Sequence, residues 1–335
     1  MLKLCEKLAN YQILCPDKPR MAIPERMSLN TRVENSLSLP SHLWEQFLFP
    51  RTNKTSVHLS LIGTAPFVRL PYVNAMVVHD VNFHLIPESF DWRFRAWYRF
   101  ACGRAAKVAD AVFVVSEYTK RTLVEYASVD PEKVFVFNQG PGLPVELLTG
   151  ERLPTTDRPF ILCVGSLQPH KNLAGVLQAF DALRQECRCE HRLVVVGKKQ
   201  NHFNSPRIDS KYLNDPDIQF TGYVSDEQLT HLYRQADVFV YPSFEEGFGM
   251  PLVEAFYAKC PVITSNRSCL PEVSGDAAML VSPNDSVAIA DAIQRVLTDP
   301  ELRQDLVRRG SLRAQRYQWE SAAKTVYDQL LLLGA

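Results

Sequence analysis

Short apolar runs alternate with helical patterns over much of the chain. Runs rich in β-branched residues predict buried strands, and stretches whose apolar positions recur three and four residues apart predict the helices between them. In the second half the predicted strands are 160–164, 192–196, 217–220, 238–241 and 261–264, and the predicted helices are 172–187, 226–235 and 252–259. Strands that alternate with helices indicate a parallel α/β sheet.

The first half of the chain alternates less regularly. Here the predicted strands are 75–78, 111–115 and 134–137, and the predicted helices are 92–108 and 117–127. A length of 335 residues suits two domains, and a segment with several glycines and prolines predicts the connection between them. We predict a first domain over 1–150, a second over 151–316 and a final helix over 317–333.

Composition narrows the class of protein. The chain has 37 basic and 37 acidic residues, so no net field attracts nucleic acid. Its eight cysteines form no Cys-x-x-Cys pair and have no metal-ligand spacing with histidine, which favours reduced thiols in the cytoplasm. The N-terminus does not resemble a signal peptide, and no run of apolar residues is long enough to span a bilayer. We expect a cytoplasmic protein that is soluble or peripheral to a membrane.

The segment between the predicted strand 238–241 and the next helix carries the most candidate chemistry. Glu246 and Glu254 flank a Gly-x-Gly loop, where Gly247 and Gly249 allow unusual backbone conformations and leave room for a ligand. A following helix N-terminus, with its free N–H groups, can bind a phosphate-bearing ligand, and the carboxylates can accept hydrogen bonds from sugar hydroxyls. The alternative is a tight turn in which Glu254, in the first helical turn, only stabilises the helix dipole.

Several motifs in order resemble one family. Residues 246–254 resemble the Glu-x7-Glu motif of the retaining GT-B glycosyltransferases of family GT4. The similarity runs from about Trp44 to Trp319, and its other segments are 78–80, 114–117, 164–172, 220–226, 261–266 and 270–278. The resemblance implies an α/β GT-B fold, in which two Rossmann-like domains face a cleft and the C-terminal helix crosses back to the N-terminal domain.

The resemblance also implies a site. The second domain would bind a nucleotide-sugar donor, and the first a glycan or lipid-linked acceptor. Lys171 would neutralise the departing diphosphate, Glu246 would bind the donor sugar, and Glu254 the ribose. The implied catalytic residues are His79, Lys171 and Glu246, and the implied donor-binding residues are Gly165, Ser166, Lys171, Val224, Glu246, Gly247, Phe248, Gly249, Met250 and Glu254. The alternatives are a solvated Lys171 and a His79 that satisfies a loop carbonyl.

Other reaction classes fit the sequence less well. A hydrolase pair must flank the scissile bond, whereas the two glutamates share one strand–loop–helix unit. No Gly-x-Gly-x-x-Gly follows a strand, which argues against a dinucleotide oxidoreductase. The pair Asp215 and Asp217 imitates the Asp-x-Asp motif of metal-dependent GT-A enzymes but leads into a donor-domain strand. We therefore expect neither a metal nor another cofactor.

The chain also departs from the family pattern. Ser166 and His170 stand where many relatives have an arginine, so a second phosphate clamp is weakened or supplied elsewhere. Residues 1–8 resemble the helix after the first glycine-rich loop, and 11–15 the second strand. We expect a truncated form, a start further upstream, or acceptor binding built differently. Cys260 is expected to be strained if its position requires a positive φ.

One helix allows two interpretations. Residues 92–107 mix large aromatics with five basic residues, so this helix could lie in a membrane interface or cover its own core.

The resemblance favours a hexosyltransferase that moves mannose or rhamnose from a GDP-sugar in cell-envelope polysaccharide, lipopolysaccharide or O-antigen synthesis. A UDP-sugar remains open. The alternative is a degenerate protein that binds nucleotide or a partner subunit without turnover.

Overall fold

The computed structural model describes residues 13–15, 31–33, 43–48, 57–151, 158–186, 189–197 and 208–334. Within them, all strand pairs are parallel. A first pair joins β1 (Ile13–Cys15) to β2 (Thr31–Val33). A four-stranded sheet follows in the order β3 (Val57–Ser60), β4 (Val73–Val78), β5 (Ala111–Val114) and β6 (Val134–Val136).

The second sheet has six strands in the order β12-β11-β10-β7-β8-β9. In chain order they are β7 (Phe160–Val164), β8 (Arg192–Val196), β9 (Ile218–Gly222), β10 (Val238–Tyr241), β11 (Val262–Ser265) and β12 (Ala278–Val281). The strand sequence reverses beside β7, which is the point where such sheets bind ligands beyond the carboxyl ends of their strands.

Twelve α-helices are found in the described residues. They are α1 (Asn82–Leu85), α2 (Trp92–Val108), α3 (Glu117–Ala127), α4 (Val145–Leu148), α5 (Leu173–Glu186), α6 (Ser210–Leu213), α7 (Asp226–Gln235), α8 (Met250–Tyr257), α9 (Leu270–Ser274), α10 (Ser286–Thr298), α11 (Pro300–Ala314) and α12 (Trp319–Leu332). None of the helices in these residues is both long enough and apolar enough to span a membrane.

The predicted α/β class is confirmed, and the predicted strands and helices of both domains are found within two residues of their expected ends. The strands β2, β3 and β12 and the helices α1, α4, α6, α9, α10 and α11 were not predicted. The helix-like segment 1–8 lies outside the described residues, whereas β1 lies inside the expected second strand 11–15. The domain boundaries remain predictions.

The end of α8 corrects one expectation. The left-handed residue there is Lys259, with φ of 57°, and not Cys260. The expectation of strain at Cys260 is therefore wrong, because the left-handed conformation falls on the preceding residue. Cys260 is buried instead in the core.

Apolar side chains cover both faces of the four-stranded and six-stranded sheets. In β7, Phe160 and Leu162 belong to one cluster and Ile161 to another on the opposite face. The first cluster also contains Val77 from the four-stranded sheet and Val326 from α12, so one core joins both sheets and the final helix.

The start of α12 is fixed to the connection between the sheets. The indole Nε1 of Trp319 donates a hydrogen bond to the Pro141 carbonyl at 2.9 Å. A Cβ atom on Gly140 would lie 2.5 Å from the same indole, so only glycine permits this close packing. The C-terminal helix thus packs back toward the first sheet, as the resemblance implied.

Candidate active site

Loops at the carboxyl ends of strands from both sheets meet at Gly247. The hydroxyl groups of Ser116 and Thr119, which follow β5, donate hydrogen bonds to the Gly247 carbonyl at 2.7 and 3.1 Å. From the end of β4, the His79 carbonyl approaches so closely that a Cβ on Gly247 would lie 2.0 Å from it. The two halves of the chain are therefore in direct contact at the loop that the sequence singled out.

Lys171 and Glu246 form the polar centre of this junction. Lys171 Nζ donates to Glu246 Oε1 at 2.6 Å and to the Tyr241 hydroxyl at 3.1 Å, and that hydroxyl donates to the same carboxylate oxygen at 2.5 Å. Lys171 ends the 3₁₀ turn Pro169–Lys171 because Asn172 adopts a left-handed conformation. The Asn172 amide then donates to the carbonyls of Pro242 and Pro283, which fixes the turn against neighbouring loops.

Glu246 is ionised in this environment. Burial alone would raise its pKa, but the Lys171 charge and hydrogen bonds from Lys171 and Tyr241 outweigh burial and hold the pKa below its usual value. The Tyr241 hydroxyl keeps its proton, since burial and the adjacent Glu246 charge raise its pKa. The pair thus offers an ammonium that can stabilise a leaving diphosphate, and a carboxylate that can accept hydrogen bonds from sugar hydroxyls.

His79 lies at the same junction in its neutral form. Burial lowers its pKa. Its Nε2 donates to the Leu61 carbonyl at 3.0 Å and its Nδ1 accepts from Gln139 Nε2 at 3.2 Å, an assignment that follows from the hydrogen-bond network. His79 therefore does satisfy a loop carbonyl, as the alternative held, and it does so beside the Gly247 loop.

Glu254 is directed at the connection between the sheets. Its Oε1 accepts hydrogen bonds from the backbone N–H groups of Gly142 and Leu143 at 3.0 and 3.2 Å, and its Oε2 accepts from the Tyr233 hydroxyl at 3.2 Å. Because α8 begins at Met250, Glu254 lies beyond the first helical turn. The alternative of a first-turn, dipole-stabilising glutamate is therefore wrong.

The other predicted donor-binding residues lie on three separate segments of the chain. Gly165 and Ser166 follow β7 beside the Lys171 side chain, and a Cβ on Gly165 would lie 3.7 Å from its methylene carbons. Val224 follows β9, two strands away from β7. The Phe248 ring is buried against Tyr317, so only its backbone is available to a ligand. Gly249 caps α8 with φ of 88°, and Met250 is the first residue of that helix.

Contacts across the junction include residues that sequence reasoning missed. The carboxylate of Glu272, from α9, accepts hydrogen bonds from the backbone N–H groups of Glu117 and Tyr118 at 2.8 and 3.0 Å. It therefore stabilises the start of α3 from the other half of the chain. Ser116 caps the same helix, because its side-chain oxygen accepts a hydrogen bond from the Thr119 backbone N–H. The segment 270–278 was part of the resemblance, which was the available signal for Glu272.

Glu245 is a second missed residue. It is buried, it bonds with the Tyr118 hydroxyl, and its Oε1 has no hydrogen-bond partner in the described structure. Burial, with the nearby charges of Glu246 and Asp80, raises its pKa to about 7. Burial at the junction therefore favours the protonated form of Glu245.

Glu245→Gln is expected to stabilise the protein above neutral pH and to change nothing at low pH. The folded carboxyl has a pKa of about 7 against 4.5 for an ordinary glutamate, so its stabilising contribution is complete below 4.5 and is lost as pH rises to about 7. This gap corresponds to roughly 3 kcal/mol in the free energy of unfolding. Urea unfolding of both proteins at about pH 4 and about pH 8 measures it. An equal difference at both pH values would contradict the assignment.

Among the described residues, no group of three or more His, Cys, Asp or Glu side chains is arranged to hold a metal ion. Asp215 and Asp217 both face Arg184, at 2.8 and 3.6 Å, and Arg158 lies 2.6 Å from Asp217. These two aspartates form part of an ion-pair network.

The chain is similar in sequence to known glycosyltransferases. Residues 148–313 match the family described as "Glycosyl transferases group 1". The chain is 28% identical over 263 residues to the O-antigen chain mannosyltransferase B of Escherichia coli, covering 76% of this chain and 69% of that protein. It is 26% identical over 272 residues to the serotype-specific mannosyltransferase WbdA of Escherichia coli, covering 77% of this chain but 33% of that protein.

Solved structures show the same architecture. Sucrose-phosphate synthase from Thermosynechococcus elongatus superimposes with a TM-score of 0.71 at 20% identity, covering 96% of this chain and 88% of that chain. Anabaena HepE, solved with UDP and glucose, superimposes with a TM-score of 0.62 at 18% identity, covering 77% of this chain and 71% of that chain. The fold is therefore GT-B, with two parallel α/β sheets.

Proposed function

Because the chain belongs to the group 1 glycosyltransferases, family GT4, we propose that it transfers a mannosyl residue from GDP-mannose with retention at the anomeric carbon. The observation that carries this proposal is the Lys171–Glu246 pair, held at 2.6 Å where the loops of both sheets meet. Its curated relatives act as mannosyltransferases in O-antigen synthesis, which supports mannose and a glycan or lipid-linked acceptor. Rhamnose and a UDP-sugar are the alternative donors.

The proposed reaction places each group in one role. The acceptor hydroxyl attacks the anomeric carbon on the face that the nucleotide leaves, the bond from carbon to diphosphate oxygen breaks, and the hydroxyl proton passes to the departing diphosphate. Lys171 stabilises the charge that develops on the diphosphate. Glu246 accepts hydrogen bonds from the donor sugar, and neutral His79 lies beside the reacting sugar and the acceptor.

Glu254 would join donor binding to the connection between the domains. Its carboxylate accepts hydrogen bonds from the backbone N–H groups of Gly142 and Leu143 and from the Tyr233 hydroxyl. We propose that the ribose hydroxyls hydrogen-bond to the same carboxylate, as the family resemblance implies. Donor binding would then be coupled to the segment that connects the two sheets.

The donor class can be tested by thermal shift in excess EDTA, because we propose that binding and transfer need no metal. GDP-mannose at a hundred times its Kd is expected to stabilise the protein by about 2.7 kcal/mol, and UDP- and ADP-sugars by less. Glu254→Ala is expected to weaken binding at least tenfold, about 1.4 kcal/mol.

Each contrary outcome has a distinct meaning. A shift that is lost in EDTA and restored by Mg²⁺ would overturn metal independence. A shift with UDP-sugars alone would overturn the GDP proposal. No shift with any donor would favour the degenerate protein that binds only a partner subunit.

We also propose a cytoplasmic location with peripheral membrane contact through α2. Five cysteines, Cys102, Cys163, Cys189, Cys260 and Cys269, are free thiols, which fits a reducing compartment. On α2 the small residues Ala101, Cys102, Ala105 and Ala106 are buried, whereas Trp92 and Phe100 are 63% and 59% exposed among basic side chains. Exposed aromatics beside arginines suit an anionic membrane surface.

The membrane proposal predicts binding to anionic vesicles. The protein is expected to sediment with vesicles that contain phosphatidylglycerol and not with neutral ones, and Trp92→Ala with Phe100→Ala is expected to weaken binding about tenfold. Tyr223→Ala, which removes an aromatic side chain that is 82% exposed on the second domain, serves as the matched control. Equal sedimentation of all three proteins would contradict the proposal.

A further inference from the structure

A second cluster of reactive side chains lies at the end of the six-stranded sheet that is opposite to Lys171 and Glu246. Cys189 and His191 precede β8, and Asp237 precedes β10. All three therefore lie at the amino ends of their strands, whereas Lys171 and Glu246 follow the carboxyl ends of β7 and β10. This cluster takes no part in the proposed transfer reaction.

The three side chains form a continuous chain of contacts. Cys189 Sγ lies 3.8 Å from His191 Nδ1, and His191 Nε2 lies 3.2 Å from Asp237 Oδ2. The other carboxylate oxygen of Asp237 faces Arg303 at 3.7 Å, which holds the carboxylate in place. A thiol, an imidazole and an orienting carboxylate in this order are the parts of an activated cysteine nucleophile.

From this geometry we propose that Cys189 is a nucleophilic thiol that is modified by soft electrophiles and by disulfides, with the imidazole of His191 as the group that stabilises its thiolate and Asp237 as the group that orients the imidazole. Cys189 is only partly buried, so a small reagent can reach it. Burial would lower the pKa of His191, but Asp237 and Cys189 outweigh burial and raise it to about 9, so the imidazole is cationic at neutral pH. A thiolate beside a cationic imidazole is the reactive form of cysteine.

Four other cysteines are internal controls. Cys102, Cys163, Cys260 and Cys269 are all buried. Burial raises the pKa of Cys102 and of Cys163 to about 12, and that of Cys269 is also raised. These thiols are expected to react only when the protein opens.

Iodoacetamide is a suitable probe because its reaction is simple. The sulfur of Cys189 attacks the methylene carbon, a carbon–sulfur bond forms, the carbon–iodine bond breaks and iodide leaves. The thiol proton passes to solvent when the thiolate forms, and the cationic imidazole of His191 keeps its own proton. Tryptic cleavage after Arg188 separates Cys189 from Cys187, so the label can be assigned by mass spectrometry.

The test is pulsed alkylation of the folded, full chain at about pH 7.5. Cys189 is expected to react at least about tenfold faster than the buried cysteines. His191→Asn removes the imidazole beside the sulfur and is expected to lower the rate at Cys189 at least about fivefold, whereas His231→Asn, at an exposed histidine of the same domain, is expected to leave it unchanged. Equal rates for Cys189 and the buried cysteines, or no effect of His191→Asn, would overturn the proposal.

Discussion

Lys171→Ala is expected to lower kcat/KM for the nucleotide sugar by about a hundredfold, equivalent to about 2.7 kcal/mol. The substitution removes the ammonium that we assign to the departing diphosphate. It also leaves Glu246 as a buried carboxylate without its cation, at a site where the two groups are 2.6 Å apart. Initial rates with varied donor measure the effect.

Two further variants separate this effect from a loss of positive charge in general. Lys211→Ala removes a lysine that pairs with Asp181 on the same domain at 2.9 Å, away from the junction, and is expected to leave kcat/KM unchanged. Lys171→Arg keeps the charge and is expected to retain part of the activity. If Lys171→Ala remained within about threefold of the unaltered protein, the assignment of the leaving-group role would be wrong.

Gly247→Ala is expected to lower turnover at least about a hundredfold while the donor still binds. The added methyl group would lie 2.0 Å from the His79 carbonyl and 3.0 Å from Asp80 Cβ, both on the facing half of the chain. Gly247 has no positive φ, so alanine does not strain the loop itself. The methyl group should instead hold the two domains apart, as kinetics combined with the thermal shift by donor can measure.

Gly103→Ala provides the matched control. This glycine lies inside α2, and its nearest new contact would be an ordinary one at 3.9 Å from Ala127 Cβ. Alanine there is expected to favour the helix and to leave turnover unchanged. Normal turnover in Gly247→Ala would show that transfer does not require the His79–Gly247 contact.

The elements that local patterns encode could be predicted from the sequence. The apolar run of β10 and the amphipathic pattern of α7 place their ends to within two residues. The motif resemblance was enough to select Lys171 and Glu246, which the structure brings into contact. Their roles in transfer remain proposals.

The contacts of the site that were not predicted join distant parts of the chain. Glu272 reaches the start of α3 across more than 150 residues, and Gln139 reaches His79 across 60. No local spacing records such pairs. The expectation for Cys260 failed for a similar reason. The left-handed conformation falls one residue earlier, on Lys259, because of where α8 ends, and residue type did not indicate this.

The contact between Trp319 and Pro141 has a mechanical consequence. The chain passes between the two lobes twice, once after β6 and once before α12, and the indole fastens the second passage to the first. Because the indole links the second passage to the first, neither can move far without the other. The two sheets therefore have fewer relative orientations than two domains joined by a single free linker. Less conformational entropy should be lost when the His79 carbonyl meets the Gly247 loop.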